Sequence, residues 1–179
     1  MTSILKVSEI QDPTNSNTAL TIDSSGNVNI PNKLTVGTIP AVFAQGGYDG
    51  DKSIETSDRL GATNDGQAAF RTDGTGGSFI QGSMSYDSAT GEFTVPIDGL
   101  YHIYGQYYIN QPASGRIQIY INDVAIALGH TGPDAQTCAV STILNLSAND
   151  EIEFRNDVGA TRTMWEGQNH TFVHIYLIG

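Results

Sequence analysis

Residues 115–128 read GRIQIYINDVAIAL, two runs of alternating side chains on either side of Asn122-Asp123. Asn and Asp tolerate the positive φ values that a two-residue hairpin turn requires. Across such a turn the opposed pairs on one face are all aliphatic: Ile121 with Val124, Ile119 with Ile126, and Ile117 with Leu128. The stretch therefore predicts a β-hairpin with one apolar face, and it indicates an all-β protein.

The same alternation continues toward the C-terminus. It runs through Val140, Thr142, Leu144 and Leu146, breaks at residues 147–150, and resumes in residues 152–154 with an apolar residue at each end. A four-residue polar break between two alternating runs is typical of a turn. We predict a second hairpin here.

Two further strands are apolar on both faces. Tyr101, Ile103, Tyr107 and Ile109 share one face of the first, and Val173, Ile175 and Leu177 share one face of the last. A sandwich strand ordinarily shows one side to solvent, so a strand that is apolar on both sides needs a second cover, most simply another copy of the chain. The opposite faces therefore predict homo-oligomer contacts at Leu100, His102, Tyr104, Tyr108, Phe172, His174, Tyr176 and Ile178.

The first 39 residues differ in composition from the remainder. They contain no aromatic residue and carry short apolar doublets separated by turn sequences. Strands this short are stable only when neighbouring turns or chains cover them, so residues 1–39 are predicted to form an arm or stalk for self-association and particle docking; a flexible leader is the alternative. The predicted docking residues are Leu20, Ile22, Val28, Ile30, Leu34 and Val36. Residues 40–179 form the predicted head.

Charge and composition exclude several classes of function. Eight Lys and Arg stand against 19 Asp and Glu, a net charge of -11 that opposes binding to a phosphate backbone. No apolar run reaches the length of a membrane span, and the start of the chain lacks the pattern of a signal peptide. Cys138 is the only cysteine, so we expect no intrachain disulfide and a buried thiol. We expect a protein that is assembled in a cytoplasm.

The common catalytic signatures are missing from the sequence. It contains no Gly-x-Ser-x-Gly elbow, phosphate loop or His-Glu-x-x-His motif, which indicates that the protein is not an enzyme. The four histidines have no spacing that assigns them a partner, and the single Trp165 is expected to be an interface or core anchor rather than a ligand-stacking residue. No catalytic and no metal-binding residue is assigned.

Residues 86–101 read YDSATGEFTVPIDGLY. This stretch resembles the most characteristic segment of the C1q and tumour-necrosis-factor-like superfamily, in which an aromatic residue, a Thr-Gly turn, Phe, Pro and then Gly-x-Tyr lead into a long core strand. The residues that match are Tyr86, Phe93, Gly99 and Tyr101, while Ile103 and Gly105 stand where aromatic residues are usual. The resemblance extends over residues 40–179 and includes residues 146–152 and the terminal strand.

This resemblance implies a jelly-roll β-sandwich of about ten strands that forms a compact homotrimer, with the C-terminal strand near the threefold axis. Some C1q-like trimers hold calcium near the apex, so calcium is the one cofactor that the resemblance leaves open; Asp49, Asp51, Asp123 and Asp134 are the carboxylates it would draw on. Residues 49–53 begin like a calcium loop, but Ile54 and Leu60 occupy positions that require Gly and Glu. We therefore expect no cofactor.

The first 39 residues resemble, in 5–7, 18–28 and 33–37, the leader of structural proteins from tailed phages, particularly marine and cyanobacterial ones. That resemblance implies a virion structural protein, a trimeric tail fibre or spike whose head binds a glycan or protein of the host surface. Its partners would be other virion proteins of the tail, baseplate or capsid. Two alternatives stay open: a capsid decoration protein, and a soluble C1q-like lectin or ligand-binding module.

Overall fold

The computed structural model of the chain describes residues 9–11, 18–22, 24–25, 28–29, 43–47, 52–66, 69–72, 79–157, 161–165 and 170–178. The chain divides into two compact units, Met1–Ile39 and Pro40–Gly179. The division falls where aromatic residues first enter the sequence. Among the described residues, no helix has the length and hydropathy to cross a lipid bilayer.

The first unit contains a three-stranded antiparallel sheet. Its strands are β1 (Glu9–Gln11), β2 (Thr18–Ile22) and β3 (Val28–Asn29), in the order β1-β2-β3. The strands predicted around Leu20 and Val28 are confirmed, and Ile22 lies opposite Val28 in the register. Strand β1 was not predicted, because its three residues contain a single apolar side chain.

The second unit is built from short strands, with one 3-10 turn at Thr63–Asp65 among its described residues. The strands are β4 (Phe43–Gly47), β5 (Lys52–Ile54), β6 (Phe79–Gln81), β7 (Ser85–Asp87), β8 (Glu92–Thr94), β9 (Gly99–Tyr108), β10 (Gly115–Ile121), β11 (Val124–Thr131), β12 (Thr137–Leu146), β13 (Glu151–Asn156), β14 (Arg162–Met164) and β15 (Phe172–Leu177).

Two five-stranded sheets form the sandwich. Sheet I has the order β12-β9-β15-β4-β6, and sheet II has the order β11-β10-β13-β8-β7. The neighbouring strands within each sheet run antiparallel. Most neighbours are not consecutive in the chain, which is the topology of a jelly roll rather than of a meander. The predicted fold class is confirmed.

The core lies between the two sheets. Among its fully buried side chains are Tyr101, Ile103 and Tyr107 from sheet I, and Phe93, Ile117, Ile119, Ile152 and Phe154 from sheet II. A Cβ atom at Gly105 would lie 2.5 Å from Cδ1 of Phe154. The Phe154 ring of sheet II fills the space in which a side chain at position 105 would lie, which accounts for the glycine there.

The residues that carry the family resemblance anchor a loop to sheet II. The rings of Tyr86 and Phe93 stack with centroids 4.7 Å apart. The Tyr86 hydroxyl accepts a hydrogen bond from the Phe70 amide at 2.8 Å and donates one to the Gly61 carbonyl at 2.6 Å. Burial raises the pKa of Tyr86 to about 12. The Tyr86 side chain thus ties both Gly61 and Phe70 to the sheet.

The predicted hairpin is confirmed, but its register is partly wrong. Asn122 and Asp123 have φ values of 50° and 62°, and Ile121 pairs with Val124 as expected. Between Ile119 and Tyr120 the register shifts, so the remaining predicted pairs are replaced by Ile119 with Ala127 and Ile117 with Gly129. A β-bulge adds one residue to β11 at this point.

The second predicted hairpin is wrong. Strand β12 belongs to sheet I and pairs with β9, whereas β13 belongs to sheet II and pairs with β10 and β8. Residues 147–150 therefore cross from one sheet to the other. Alternation alone cannot distinguish a crossing from a hairpin, because both need a polar turn between two half-buried strands.

The two sheets approach each other closely at the edge formed by β11 and β12. A Cβ atom at Gly129 would lie 1.9 Å from the carbonyl oxygen of Ala139, so only glycine fits. Cys138 is 1% exposed beside this contact, and its thiol donates to the Gly129 carbonyl oxygen at 3.5 Å. The predicted burial of the thiol is confirmed, and burial raises its pKa.

Candidate interaction surfaces

The outer face of sheet I brings the predicted interface residues together. Cross-strand pairs place Tyr176 beside His102 and His174 beside Tyr104. The ring centroids of His102 and Tyr176 are 4.8 Å apart, those of Tyr104 and Phe172 are 5.6 Å apart, and those of Phe172 and His174 are 4.8 Å apart. Leu100 and Ile178 are 41% and 50% exposed at one end of this aromatic row.

The outward positions of β9, β12 and β15 on this face include no Asp, Glu, Lys or Arg. Outward positions alternate with the buried core residues along β9, β12 and β15. They are Leu100, His102, Tyr104, Gln106 and Tyr108 on β9; Thr137, Ala139, Ser141, Ile143 and Asn145 on β12; and Phe172, His174, Tyr176 and Ile178 at β15. In a chain with 19 acidic residues, a face without Asp, Glu, Lys or Arg indicates an interface.

A histidine and a serine are in contact on this face. Ser141 Oγ lies 2.9 Å from His102 Nε2. His102 Nδ1 is buried and has no hydrogen-bond partner among the described residues. The pair therefore lacks the carboxylate that orients the histidine in a catalytic triad. Burial, with a smaller contribution from His102, lowers the pKa of His174.

A second apolar surface lies on the sandwich edge. Val124, Ile126 and Leu128 on β11 are 60%, 44% and 50% exposed, and we call these three residues the edge row. Ile143 on the neighbouring β12, which is 55% exposed, belongs to the outer face of sheet I. The sequence predicted a hairpin with one apolar face, but an alternating run does not show whether that face packs against the other sheet. The bulge at Ile119/Tyr120 shifts the register of the β11 residues that follow Ala125.

At the far end of sheet I, three aromatic rings form a separate cluster. Tyr108 lies 5.3 Å from Trp165 and 5.4 Å from His170, and Trp165 and His170 are 5.7 Å apart, measured between ring centroids. We call these three residues the distal cluster. Trp165 follows β14 and is 41% exposed, and its backbone amide donates to the Tyr108 carbonyl at 2.8 Å. Tyr108 is thus the one predicted interface residue that contacts Trp165.

A cavity of about 200 Å³ adjoins the distal cluster. The backbone amide of Asn110 donates a hydrogen bond to the Thr163 carbonyl at 3.1 Å. Asn110 and Thr163, which line the cavity, are each two residues along the chain from Tyr108 and Trp165, so the cavity lies next to the distal cluster. The lining residues are Ile109, Asn110, Gln111, Pro112, Ala113, Thr161, Arg162 and Thr163. Hydroxyl, amide and guanidinium groups predominate among the side chains of this lining, and none is acidic.

Comparison with models of protein families gave no match. Comparison with curated proteins gave none either. Solved structures do match. Eiger TNF from S. frugiperda superimposes with a TM-score of 0.60 at 15% identity, over 78% of this chain and 94% of that one. The globular domain of zebrafish complement 1qA gives 0.51 at 12%, over 78% and 98%, and murine APRIL gives 0.54 at 11%, over 77% and 99%.

The second unit has a TNF/C1q-like jelly-roll fold. At these identities the likeness shows the fold alone. It agrees with the resemblance of residues 86–101.

The outer face of sheet II differs from that of sheet I in being charged. Glu153, 1% exposed, accepts two hydrogen bonds from Arg155, at 2.9 Å from Nε and 2.8 Å from Nη2. Arg155 also contacts Asp123 and stacks over the Tyr120 ring, with 4.1 Å from its guanidinium carbon to the ring centroid. Hydrogen bonds to Glu153, outweighing burial, raise the pKa of Arg155. The buried carboxylate is thus paired within the monomer.

The calcium carboxylates do not come together in the described part of the jelly roll. Asp49 and Asp51 lie outside the described residues, and Asp123 is in an ion pair with Arg155. Asp134 is exposed between β11 and β12. No group of three His, Cys, Asp or Glu side chains among the described residues is placed to hold a metal ion.

The predicted docking residues fall on the first unit. Leu20 and Ile22 lie on β2, and Val28 lies on β3. Ile22 is 37% exposed. The other three predicted docking residues, Ile30, Leu34 and Val36, lie outside the described residues. The role of this unit in docking stays a prediction.

Proposed function

We propose that this chain is a non-enzymatic structural and binding protein that assembles as a homotrimer through the outer face of sheet I. The observation that carries the proposal is the aromatic, uncharged face of β9, β12 and β15. Aromatic side chains are enriched and charged ones depleted at the centres of protein interfaces. A second copy is the simplest cover for a face of this size, because the protein must otherwise expose it to water.

The edge row supplies a complementary surface. A contact between the sheet I face of one copy and the edge row of the next uses two different patches, so it is a heterologous contact, which forms a closed ring when its rotation closes. The edge row is made of aliphatic side chains, and the sheet I face presents rings against which such side chains pack. In a ring of three, every copy covers both of its apolar surfaces.

The trimer is further proposed to belong to a phage virion, as a tail fibre or spike that the first unit attaches to the particle. The support is the resemblance of residues 18–28 and 33–37 to phage leaders, together with the separation of Met1–Ile39 as a compact unit. The head then contacts a glycan or protein of the host surface. A short arm that exposes the apolar side chain of Ile22 suits attachment by added strands.

Light scattering on the purified full-length protein tests the assembly. The expected mass is three times the chain mass of 19.1 kDa at micromolar concentration. A monomer mass under these conditions contradicts the proposal, and a stable dimer contradicts the threefold ring while leaving the face as an interface.

Electron microscopy of particles carrying a label on this protein tests the location. Density at the tail tip or baseplate supports the fibre or spike. Density on the icosahedral shell contradicts the fibre or spike and supports a capsid decoration protein. A trimer that is never found on particles, yet binds a glycan or protein in solution, leaves the soluble ligand-binding module as the function.

A further inference from the structure

We propose that the distal cluster and its adjoining cavity bind an acidic saccharide, a sugar residue that carries a carboxylate. This inference rests on the proposed function, since it names the ligand class of the host-binding head. In this proposal the sugar ring stacks on Trp165, and the carboxylate of the sugar is recognised by Arg162.

The distal cluster provides a platform for the apolar face of a sugar. Trp165 is 41% exposed although its ring contacts both Tyr108 and His170. The Tyr108 hydroxyl donates to the Gln136 side-chain oxygen at 2.9 Å, which restrains the ring beneath Trp165. An aromatic ring has a negative face, and the C–H groups on one side of a sugar ring are apolar and slightly positive. A fixed, half-exposed indole therefore favours a flat sugar face over a flexible aliphatic chain.

The cavity beside it provides the polar groups that such a ligand needs. Side chains of Asn110, Gln111, Thr161 and Thr163 present amides and hydroxyls around about 200 Å³, a volume on the scale of one sugar residue rather than of a folded partner. Asn110 and Gln111 are exposed, so their amides reach solvent in the unliganded head. Sugar hydroxyls both donate and accept hydrogen bonds, as these groups do.

Arg162 distinguishes an acidic sugar from a neutral one. Arg59, Arg116 and Arg155 each lie within 4.0 Å of at least one carboxylate oxygen. Arg162 has no such ion pair among the described residues; its Nε and Nη1 donate to the carbonyl oxygens of Ser114 and Thr161, at 3.3 and 3.1 Å. Those two bonds orient the guanidinium on the cavity wall. In a chain of net charge -11, an arginine that has no acidic partner among the described residues, in a cavity whose lining contains no acidic side chain, suits an anionic ligand.

The position of the site suits contact with an outside surface. The described backbone of the head begins at Phe43, which pairs with Tyr176, and β4 ends at Gly47, beside Phe172. Tyr108 and His170 lie beyond Phe172. Phe43, where β4 begins, therefore lies near one end of sheet I, and the distal cluster lies at the other end.

An array of sialylated, uronate-containing and neutral glycans, probed with the full-length protein, tests the proposal. We expect binding to at least one glycan that carries a carboxylate, and about tenfold weaker binding when that carboxylate is reduced to an alcohol. The variants Arg162→Gln and Trp165→Ala are each expected to weaken binding about tenfold or more. Arg116→Gln, which removes an exposed arginine of sheet II, is the matched control and should bind as wild type.

The mass and unfolding midpoint of each variant are measured alongside. Loss of binding in variants that keep the wild-type mass and midpoint supports the site. Failure of all carboxylate-bearing glycans to bind, or equal binding of Arg162→Gln, overturns it while the trimer and its location stand. Wild-type protein whose Trp165 is shielded from quenching by iodide in the trimer also overturns it, because the platform would then be buried between subunits.

Discussion

The two outer faces of the sandwich differ in how their side chains are satisfied. On sheet II, the buried Glu153 is paired with Arg155 within one chain, so that face requires no partner. On sheet I, the rings of Tyr104, Phe172 and His174 pack against one another on a face whose outward positions on β9, β12 and β15 include no Asp, Glu, Lys or Arg. A two-layer sandwich requires one apolar face on each sheet. The second apolar face of sheet I exceeds that requirement, which is why we assign assembly to it and not to sheet II.

The most direct test of this difference introduces a carboxylate on each outer face in turn. Tyr176→Asp places a charge among His102 and the other rings, where a second copy would strip its water, and an unpaired buried charge costs several kcal/mol. We expect the trimer to dissociate to monomers in light scattering.

The matched control is Ser85→Asp on sheet II, an exposed position of β7 at the opposite edge of that sheet from β11. It should keep the mass of the wild type. Dissociation by both variants, or by neither, would show that the two faces do not differ as we propose.

The edge where the two sheets meet offers the next largest effect. Gly129→Ala places a methyl group against the Ala139 carbonyl oxygen, and a backbone atom cannot rotate away. We expect a loss of about 3 kcal/mol in the free energy of unfolding, at the upper end for overpacking. Urea unfolding measures it.

Gly132→Ala is the control, since no atom lies within 4 Å of the added methyl group. It should change the free energy of unfolding by about 0.5 kcal/mol or less. Wild-type stability of Gly129→Ala would mean that β11 and β12 are farther apart than the structure places them.

The sequence predicted which residues of β9 and β15 face outward, because strict alternation fixes both faces once one is buried. The sequence could not predict the bulge at Ile119/Tyr120, because one extra residue in β11 does not change the kinds of residue that the strand contains. Nor could it predict that residues 147–150 cross between sheets. The ion pairs around Glu153 were missed for a different reason: Arg59 joins them from a distant part of the chain, and only the fold brings it near. For Trp165 the sequence predicted an interface or core anchor, which stays a prediction, and it gave no sign of the neighbouring cavity.

Acid pH provides a smaller test of the sheet I face. Burial, and then His102, hold the pKa of His174 below its ordinary value. The folded state therefore binds fewer protons than the unfolded state, so stability falls as the pH drops below the unfolded value of about 6.5. This loss of stability is complete once the pH lies below the pKa of His174 in the folded state. We expect less stable protein at pH 5 than at pH 7.5 in urea unfolding.

His174→Gln should reduce this difference, while His130→Gln, the same change at an exposed histidine of β11, should leave it as in the wild type. If the pH dependence is unaltered in His174→Gln, it arises from other groups. This argument that His174 is desolvated on sheet I would then be removed.

The smallest expected effect is that of the arm on the head. Among the residues whose burial the structure describes, the buried hydrophobic side chains of the core, from Ala44 to Ile175, all lie in the second unit. Residues 40–179 alone should therefore form a folded trimer whose thermal midpoint is within about 3 °C of the full chain, roughly 1 kcal/mol for a chain of this size. Incorporation into particles should be lost, because the strands around Leu20 and Val28 are gone. An unfolded truncation product would show that the core extends into residues 1–39, and a truncated head that still assembles onto particles would place docking in the jelly roll.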